Sequence, residues 1–384
     1  MVPPVRVGLI GLSKSAAVSW ASVAHLPYLL SPHGKAKYEI TALCNSSVES
    51  AKRAVEAFKL SPATKTYGDP AQLAADPDID LVVCNVRVDR HHEIIRPSVA
   101  AGKAVFCEWP LASNLDQVRD LVNLAREKGG RTMIGTQGRV SPVVVKIREL
   151  LEQGRIGKVL SAEVRAAGGS NDRLALSEFM DYFAQRSVGG NFVTIGVGHL
   201  LDAVQFAIGE FNNVKSTLQI QRPNVPIQDR QTKEIIETVK SDVPDLVIAT
   251  GTLRASPIAH EGAALYFRLR RGQPFLGEDP LVWAINGEKG EIRLSSPGGT
   301  ALQATAYSKP VTIEVHVHET DNVQKIEWDW TEWQKGISVI GRNTGALYEN
   351  YVNGGPYPTF EDALKLHEKL EEIMGDWKAP AERL

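Results

Sequence analysis

Residues 5–16 read Val5-Arg6-Val7-Gly8-Leu9-Ile10-Gly11-Leu12-Ser13-Lys14-Ser15-Ala16. The largely apolar run Val5–Ile10 has the pattern of a buried strand and ends directly on a glycine. A dinucleotide-binding turn wants glycines here for three reasons. One makes the turn, one lets the backbone approach the pyrophosphate, and one packs helix against strand. Gly11 fits the first role. Ser13 stands at the second and adds a hydroxyl donor. Ala16 is an allowed third residue. Leu12 lies between them, and Lys14 offers a charge to phosphate. The helix start behind the turn favours an anion in any case. A strand–helix turn that binds nothing has the same local pattern, so the reading rests on its surroundings.

Those surroundings alternate. Apolar strands are expected at Val5–Ile10, Glu39–Cys44, Leu81–Val86, Ala104–Cys107 and Thr132–Gly135, with helices at Val48–Phe58, His91–Ala101 and Leu115–Lys128. Gly102 and Gly129-Gly130 stop two of the helices. Apolar strands alternating with helices imply a parallel sheet covered on both faces. A connecting helix follows at Pro142–Gln153, and then the rhythm changes. Strand patterns succeed one another at 159–166, 214–221, 246–253, 263–270, 282–286, 291–294 and 312–317, interrupted by one helix at 191–208. The expected fold class is α/β. A Rossmann-type domain (1–140) precedes an α+β domain (141–384) with an open, mostly antiparallel sheet. Helices near 338–352 and 360–374 close the chain and are placed to return to the first domain. Residues 223–244 are polar and Pro-bounded, and read as a loop or arm.

The chain has 384 residues, with Lys+Arg 43 against Asp+Glu 45 and a formal net charge of -2. That length supports two cores. The charge balance gives no reason to expect nucleic acid or an anionic membrane as a direct partner. No signal peptide is read at the N-terminus, and no apolar run approaches the ~20 residues needed to span a bilayer. The expected location is cytoplasmic. Cys44, Cys84 and Cys107 all lie in apolar strands, which argues for buried free thiols; no metal-binding spacing occurs. His91 and His92 are not metal ligands by spacing. One is expected near the cofactor and the other toward solvent.

An NAD-specific site usually offers Asp or Glu at the end of the second strand. Here the residues are Asn45, Ser46 and Ser47, with Lys52 and Arg53 following. Neutral and basic groups tolerate a 2′-phosphate, so NADP is expected, with NAD possible. The alternative is that Ser46 or Ser47 simply caps the next helix.

The segments VGLIGL (7–12), AHLPYL (24–29), HHEIIRPSVAAGKAVFCEWPLA (91–112), GTQGRVSP (135–142), GRIGKV (154–159), GGNFVTIGVGHLLD (189–202) and FEDALKLHEKLEEI (360–373) form a series. In that order they resemble the Gfo/Idh/MocA oxidoreductase family, within the branch of the galactose-pathway repressors. The resemblance implies a cofactor over the parallel strand ends and a second-domain sheet that often forms a homodimer interface. It places Gly11, Ser13 and Lys14 at phosphates and Asn45 and Ser46 by the adenosine ribose. Val86, Arg87 and His91 line the cofactor, Glu108 sits near the nicotinamide ribose, and Gln137 and Arg139 bound the pocket.

The chain also departs from the family's enzymes. Trp109 stands where they carry a catalytic Lys, and Ile195 where they carry an Asp; His199 alone survives of that trio. An indole N–H donates a hydrogen bond but has no pKa usable for proton transfer. Histidine titrates in the right range, and Asp202, three residues on, shares the helix face of His199. The pair suits a general base, or equally a packed histidine beside a solvated acid. Tyr182 is a spare proton donor, though an amphipathic core tyrosine reads the same way. Trp109 either covers the nicotinamide or a hydrophobic substrate, or fills the vacated pocket of a non-catalytic sensor. The run Trp328–Trp333 reads as a half-buried strand or as a contact surface.

Two functions remain open on the sequence. One is an NAD(P)-dependent oxidoreductase acting on a carbonyl or hydroxyl of a sugar-like or other small metabolite. The other is a catalytically silent, cofactor-binding regulator that takes an acidic activator peptide and works in the nucleus.

Overall fold

The computed structural model describes residues 3–14, 19–168 and 172–379. Ala16, the third residue of the phosphate turn, lies outside them. The chain forms two compact units. The first holds residues up to 136 with 187–190 and 331–367, and the second holds 137–186, 191–330 and the C-terminal residues from 368.

In the first unit, β1 (Val5–Ile10), β2 (Tyr38–Cys44), β3 (Lys65–Tyr67), β4 (Leu81–Cys84), β5 (Ala104–Cys107) and β6 (Thr132–Ile134) form one sheet in the order β3-β2-β1-β4-β5-β6. Every pairing is parallel. All four β4 residues are buried, as a strand covered on both faces requires. Burying each Leu or Val of that strand is worth about 1.5–3 kcal/mol. The short helices α1 (Leu26–Leu29) and α2 (Pro32–Lys35) follow β1. They are succeeded by α3 (Val48–Ala57), α4 (Pro70–Ala75), α5 (His91–Ala100) and α6 (Leu115–Lys128). The bounds of α6 follow from its ends. The Asn114 side chain accepts from the Gln117 amide, and Gly129 closes the helix at φ +70°. Strand order reverses between β1 and β4, and a doubly wound sheet opens a ligand crevice at such a point.

The second unit opens with α7 (Pro142–Glu152) and β7 (Val159–Gly168), followed by β8 (Leu176–Ser177) and α8 (Gly198–Ile208). The remaining strands are β9 (Phe211–Gln219), β10 (Asn224–Gln228), β11 (Ile235–Lys240), β12 (Leu246–Leu253), β13 (Ala259–Arg271), β14 (Leu281–Gly287), β15 (Gly290–Ser296), β16 (Thr312–Val317) and β17 (Asn322–Ile326). Eight of them form a sheet in the order β17-β16-β15-β14-β7-β13-β12-β9. Only β7 and β13 run parallel in it. Residues alternate between buried and more exposed along β14 and β15, so one face packs on the core. The closing helices are α9 (Glu332–Lys335), α10 (Val339–Asn353) and α11 (Phe360–Met374). Residues 331–367 group with the first unit.

Two expectations are corrected. Residues 223–244 are not a loop, because they carry the antiparallel hairpin β10–β11, which joins β8 in a three-stranded sheet. Its signal was masked by Pro226 inside β10 and by a β11 with no buried residue. The tryptophan run is no strand. Trp328 and Trp330 pack edge-on around Tyr307, the Trp328 indole donates to the Val311 carbonyl, and Trp333 belongs to α9.

Candidate functional site

Gly11 follows β1 with φ +89°, a conformation that favours glycine. A Cβ there would lie 2.9 Å from the Asn85 carbonyl oxygen and 3.0 Å from Val86 Cγ1. The turn is thus pressed against the end of β4 at the point where strand order reverses. Asn45 secures it from the other side, donating from Nδ2 to the Leu12 carbonyl at 2.8 Å. Ser47, not Ser46, caps α3; its hydroxyl accepts from the Ser50 amide, while Ser46 is exposed.

Beside this turn opens a cavity of about 520 Å³, lined by Ser13, Lys14, Ser50, Arg53, Ala54, Glu56 and Ala57. Two cations and two hydroxyls face one acid there, a composition that suits a phosphate ester. Lys52 does not line it. The tight Gly11 turn and the basic, hydroxyl-bearing lining of this cavity suit the phosphates of a dinucleotide.

Across the turn, Arg87 pairs with Asp89 through two hydrogen bonds of 2.8 and 2.6 Å. His91 is almost wholly buried. Its Nδ1 lies 2.8 Å from the Pro110 carbonyl oxygen and its Nε2 3.0 Å from that of Val86. Burial pulls its pKa below the ordinary histidine value, against the opposing pull of the two carbonyls. His91 therefore acts as a tie between the segments after β4 and β5. His92 lies at the surface, partly exposed, where it pairs with Asp120 of α6 at 2.8 Å. A His91 ring nitrogen and the Cys84 and Cys107 sulfurs lie within 4.8 Å of one another, a cluster that sequence spacing does not show. All three cysteines are buried and free.

Glu108 leads into a contact that sequence reasoning missed. Its Oε1 lies 2.8 Å from His25 Nε2, and His25 Nδ1 lies 2.8 Å from the Tyr348 hydroxyl. A π-helical turn, Ala21–His25, delivers this wholly buried histidine. Such turns recur at functional sites. Trp109 is buried with its ring centroid 4.5 Å from that of His367. Burial alone lowers the His367 pKa to about 3, so this ring is neutral.

In the second unit, Asn191 caps a helical segment that starts as a π turn (Phe192–Val197) and continues as α8. His199 is the second residue of α8 and is half-buried. Asp202, one turn on, is buried and accepts from Arg139 in a fork: Nε lies 3.0 and 2.9 Å from its two oxygens, and Nη2 2.6 Å from Oδ1. The sequence reading had set this acid beside His199 alone. Gln137 and Arg139 lie in a 3-10 turn, Gln137–Val140. Gly138 brings that turn onto α8, since a Cβ there would lie 3.1 Å from the Ala203 methyl. Tyr182 and Ile195 both pack on the apolar cluster of Leu176, Phe183, Ala184, Val225 and Ile227. A residue at position 195 thus meets hydrocarbon.

Residues 5–136 match the oxidoreductase family with NAD-binding Rossmann fold, and residues 142–296 match the C-terminal domain of Gal80p. The dehydrogenase aclE of Aspergillus oryzae is 33% identical over 296 residues, which cover 76% of this chain and 77% of that one. The chain belongs to the Gfo/Idh/MocA oxidoreductase family, in its Gal80-like branch. The galactose/lactose metabolism regulatory protein GAL80 of Saccharomyces cerevisiae is 29% identical, over 78% of this chain and 68% of its own. Among solved structures, a super-repressor mutant of that Gal80p has the same fold at TM-score 0.83 and 24% identity, with 96% of this chain and 95% of that one covered. Levoglucosan dehydrogenase in complex with NADH and L-sorbose has it at TM-score 0.73 and 19% identity, with coverage of 97% and 96%. The chain's relatives therefore include both dehydrogenases and regulators. No helix among the described residues is long and apolar enough to cross a membrane.

Proposed function

We propose that this protein is an NAD(P)-dependent oxidoreductase, with a preference for NADP, that acts on a carbonyl or hydroxyl of a small metabolite. The observation that carries the reading is the setting of His199. It stands at the start of α8 on a helix held by the fork between Arg139 and the buried Asp202, so its ring has a fixed place from which to hold a proton. When bound, the nicotinamide supplies or accepts the hydride. Gly11, Ser13 and Lys14 take the pyrophosphate, Arg53 attracts the 2′-phosphate, and Asn45 shapes the turn. Trp109 supplies an apolar wall, and Tyr182 a further hydroxyl. Ile195 and its apolar neighbours favour a substrate with a hydrocarbon face beside its polyfunctional, sugar-like part.

A second reading has its own support. Trp109 packed on the neutral His367, together with Ile195 among apolar groups, suits a cofactor-binding regulator without turnover that takes an acidic activator peptide. A cytoplasmic homodimer is proposed for the enzyme, and a nuclear one for the regulator.

Calorimetric titration with NADP and NAD, followed by a hydride-transfer screen on wild type and His199→Ala, decides between them. NADP-dependent turnover lost in His199→Ala supports the enzyme. Cofactor binding with no turnover on a broad carbonyl and polyol panel, together with capture of an acidic activation-domain peptide, supports the regulator.

A further inference from the structure

Arg271 is the last residue of β13 and is 6% exposed. Its backbone amide donates to the Asp245 carbonyl at 2.8 Å. Its side-chain Nε and Nη2 are buried and have no hydrogen-bond partner among the described residues. Leaving a buried charge unpaired is one of the costliest arrangements a fold can carry, and native proteins resolve it with a counter-ion or ordered water. The nearest carboxylates do not resolve it. Asp245 lies close enough to act on Arg271 through its charge, but its oxygens accept from the amides of Gln221 at 2.6 Å and Arg222 at 3.1 Å. Asp172 acts only at a distance, and Arg222 adds a second positive charge nearby.

Arg271, Arg222 and Asp245 line a small pocket that also meets Val225 of β10, Ser241 after β11 and Phe192, so two guanidinium groups face one carboxylate whose oxygens are already taken by backbone amides. Its free volume is about 10 Å³, room for one group the size of a water molecule. A dinucleotide or a whole phosphate ester does not fit. A halide does, as does one oxygen of a carboxylate that reaches in from outside.

We propose that Arg271, with Arg222 beside it, forms an anion site for a small monovalent anion, either a free halide or the carboxylate head of a metabolite. The bound charge joins three parts of the fold: the end of β13, the β10–β11 hairpin and the start of the π turn at Phe192. Occupancy thus stiffens the hairpin. The site is independent of the cofactor turn, because every residue in it belongs to the second unit.

The test uses the full chain in low-salt HEPES. Crystals soaked in sodium bromide are measured for anomalous scattering, and backbone hydrogen exchange is followed at Val225 and Ile227 with and without sodium bromide or sodium acetate. A bromide peak within hydrogen-bonding reach of Arg271 Nε or Nη2, absent in Arg271→Met, is the expected result, with exchange at Val225 and Ile227 slowed at least tenfold by the anion. Acetate that displaces bromide and slows exchange equally assigns the site to carboxylates. Bromide that acetate does not displace assigns it to a free halide. Should Arg271→Met not fold, Arg222→Gln, which removes the second guanidinium of the pocket, weakens the same peak. A water molecule alone at Arg271 in the bromide-soaked crystal, or exchange that neither salt alters, overturns the proposal.

Discussion

His25 Nε2 lies 2.8 Å from Glu108 Oε1, and the other nitrogen of the same ring lies 2.8 Å from the Tyr348 hydroxyl. One wholly buried imidazole therefore links the segment after β5 to α10. A neutral ring has one donor and one acceptor, and here each nitrogen has one partner, so the chain is satisfied from end to end. His25→Ala removes both contacts at once and leaves a buried carboxylate and a buried hydroxyl to find others. The expected cost is about 2–4 kcal/mol, from the loss of a charge-assisted and a neutral hydrogen bond. Tyr348→Phe, which removes only the hydroxyl, costs about 1 kcal/mol. Urea unfolding checks both values. Equal costs for the two variants would show that the Glu108 contact contributes nothing.

The histidine against Trp109 sets a pH dependence. The folded-state pKa of His367 is lowered to about 3 by burial, while in the unfolded chain the ring titrates near the ordinary histidine value of about 6.5. Between those values the unfolded chain holds a proton that the folded chain does not, so stability falls as pH drops from about 6.5 toward 3. For this ring the loss at pH 5 relative to pH 7 is about 2 kcal/mol. Burial lowers the His91 pKa in the same direction, which adds to the slope. Thermal unfolding from pH 7 to pH 5 is expected to show this fall, and His367→Leu to flatten it. An unchanged slope in that variant would remove His367 from the acid response.

The Arg139–Asp202 fork separates stability from chemistry. Asp202→Asn leaves a partly buried guanidinium facing an amide, at an expected cost of about 2–4 kcal/mol, less than for a fully buried pair because Arg139 retains some exposure. His199 is half-buried, and His199→Ala is expected to cost under about 1 kcal/mol while abolishing turnover. Denaturation curves and initial rates on the two variants distinguish the positions. A severe loss of stability in His199→Ala would assign that ring to packing instead.

Five of the six strands of the parallel half were legible because their runs are largely apolar and the helices between them carry their stops, whereas the polar β3 (Lys65–Tyr67) was missed; α6 begins after Asn114 and ends before Gly129 as read. Gly11 was legible for the same reason, since a strand that runs into a glycine at the first turn has few other uses. What stayed hidden depends on long-range contact. His25 and Glu108 are 83 residues apart and His25 and Tyr348 are 323 apart, so no spacing betrays them. The Asp202 partner was hidden likewise. Three residues separate Asp202 from His199, which suggests a local pair, whereas 63 separate it from Arg139. The β10–β11 hairpin was missed because its exposed strand has no buried face to alternate with.

Cofactor choice turns on Arg53, which with Lys14 lines the cavity beside the turn. If Arg53 meets a 2′-phosphate, its removal loses one ion pair in the NADP complex and none in the NAD complex. Arg53→Ala is therefore expected to weaken NADP about tenfold, or about 1.4 kcal/mol, and to leave NAD within about twofold. Lys14→Ala, nearer the pyrophosphate, weakens both. Raised salt should reduce the NADP preference of wild type, because these side chains are exposed and screened. Fluorescence titration of the reduced cofactors measures all three effects. If Arg53→Ala weakens NADP and NAD equally, the 2′-phosphate does not lie in this cavity, and the neutral Asn45–Ser46 end of β2 does not select NADP.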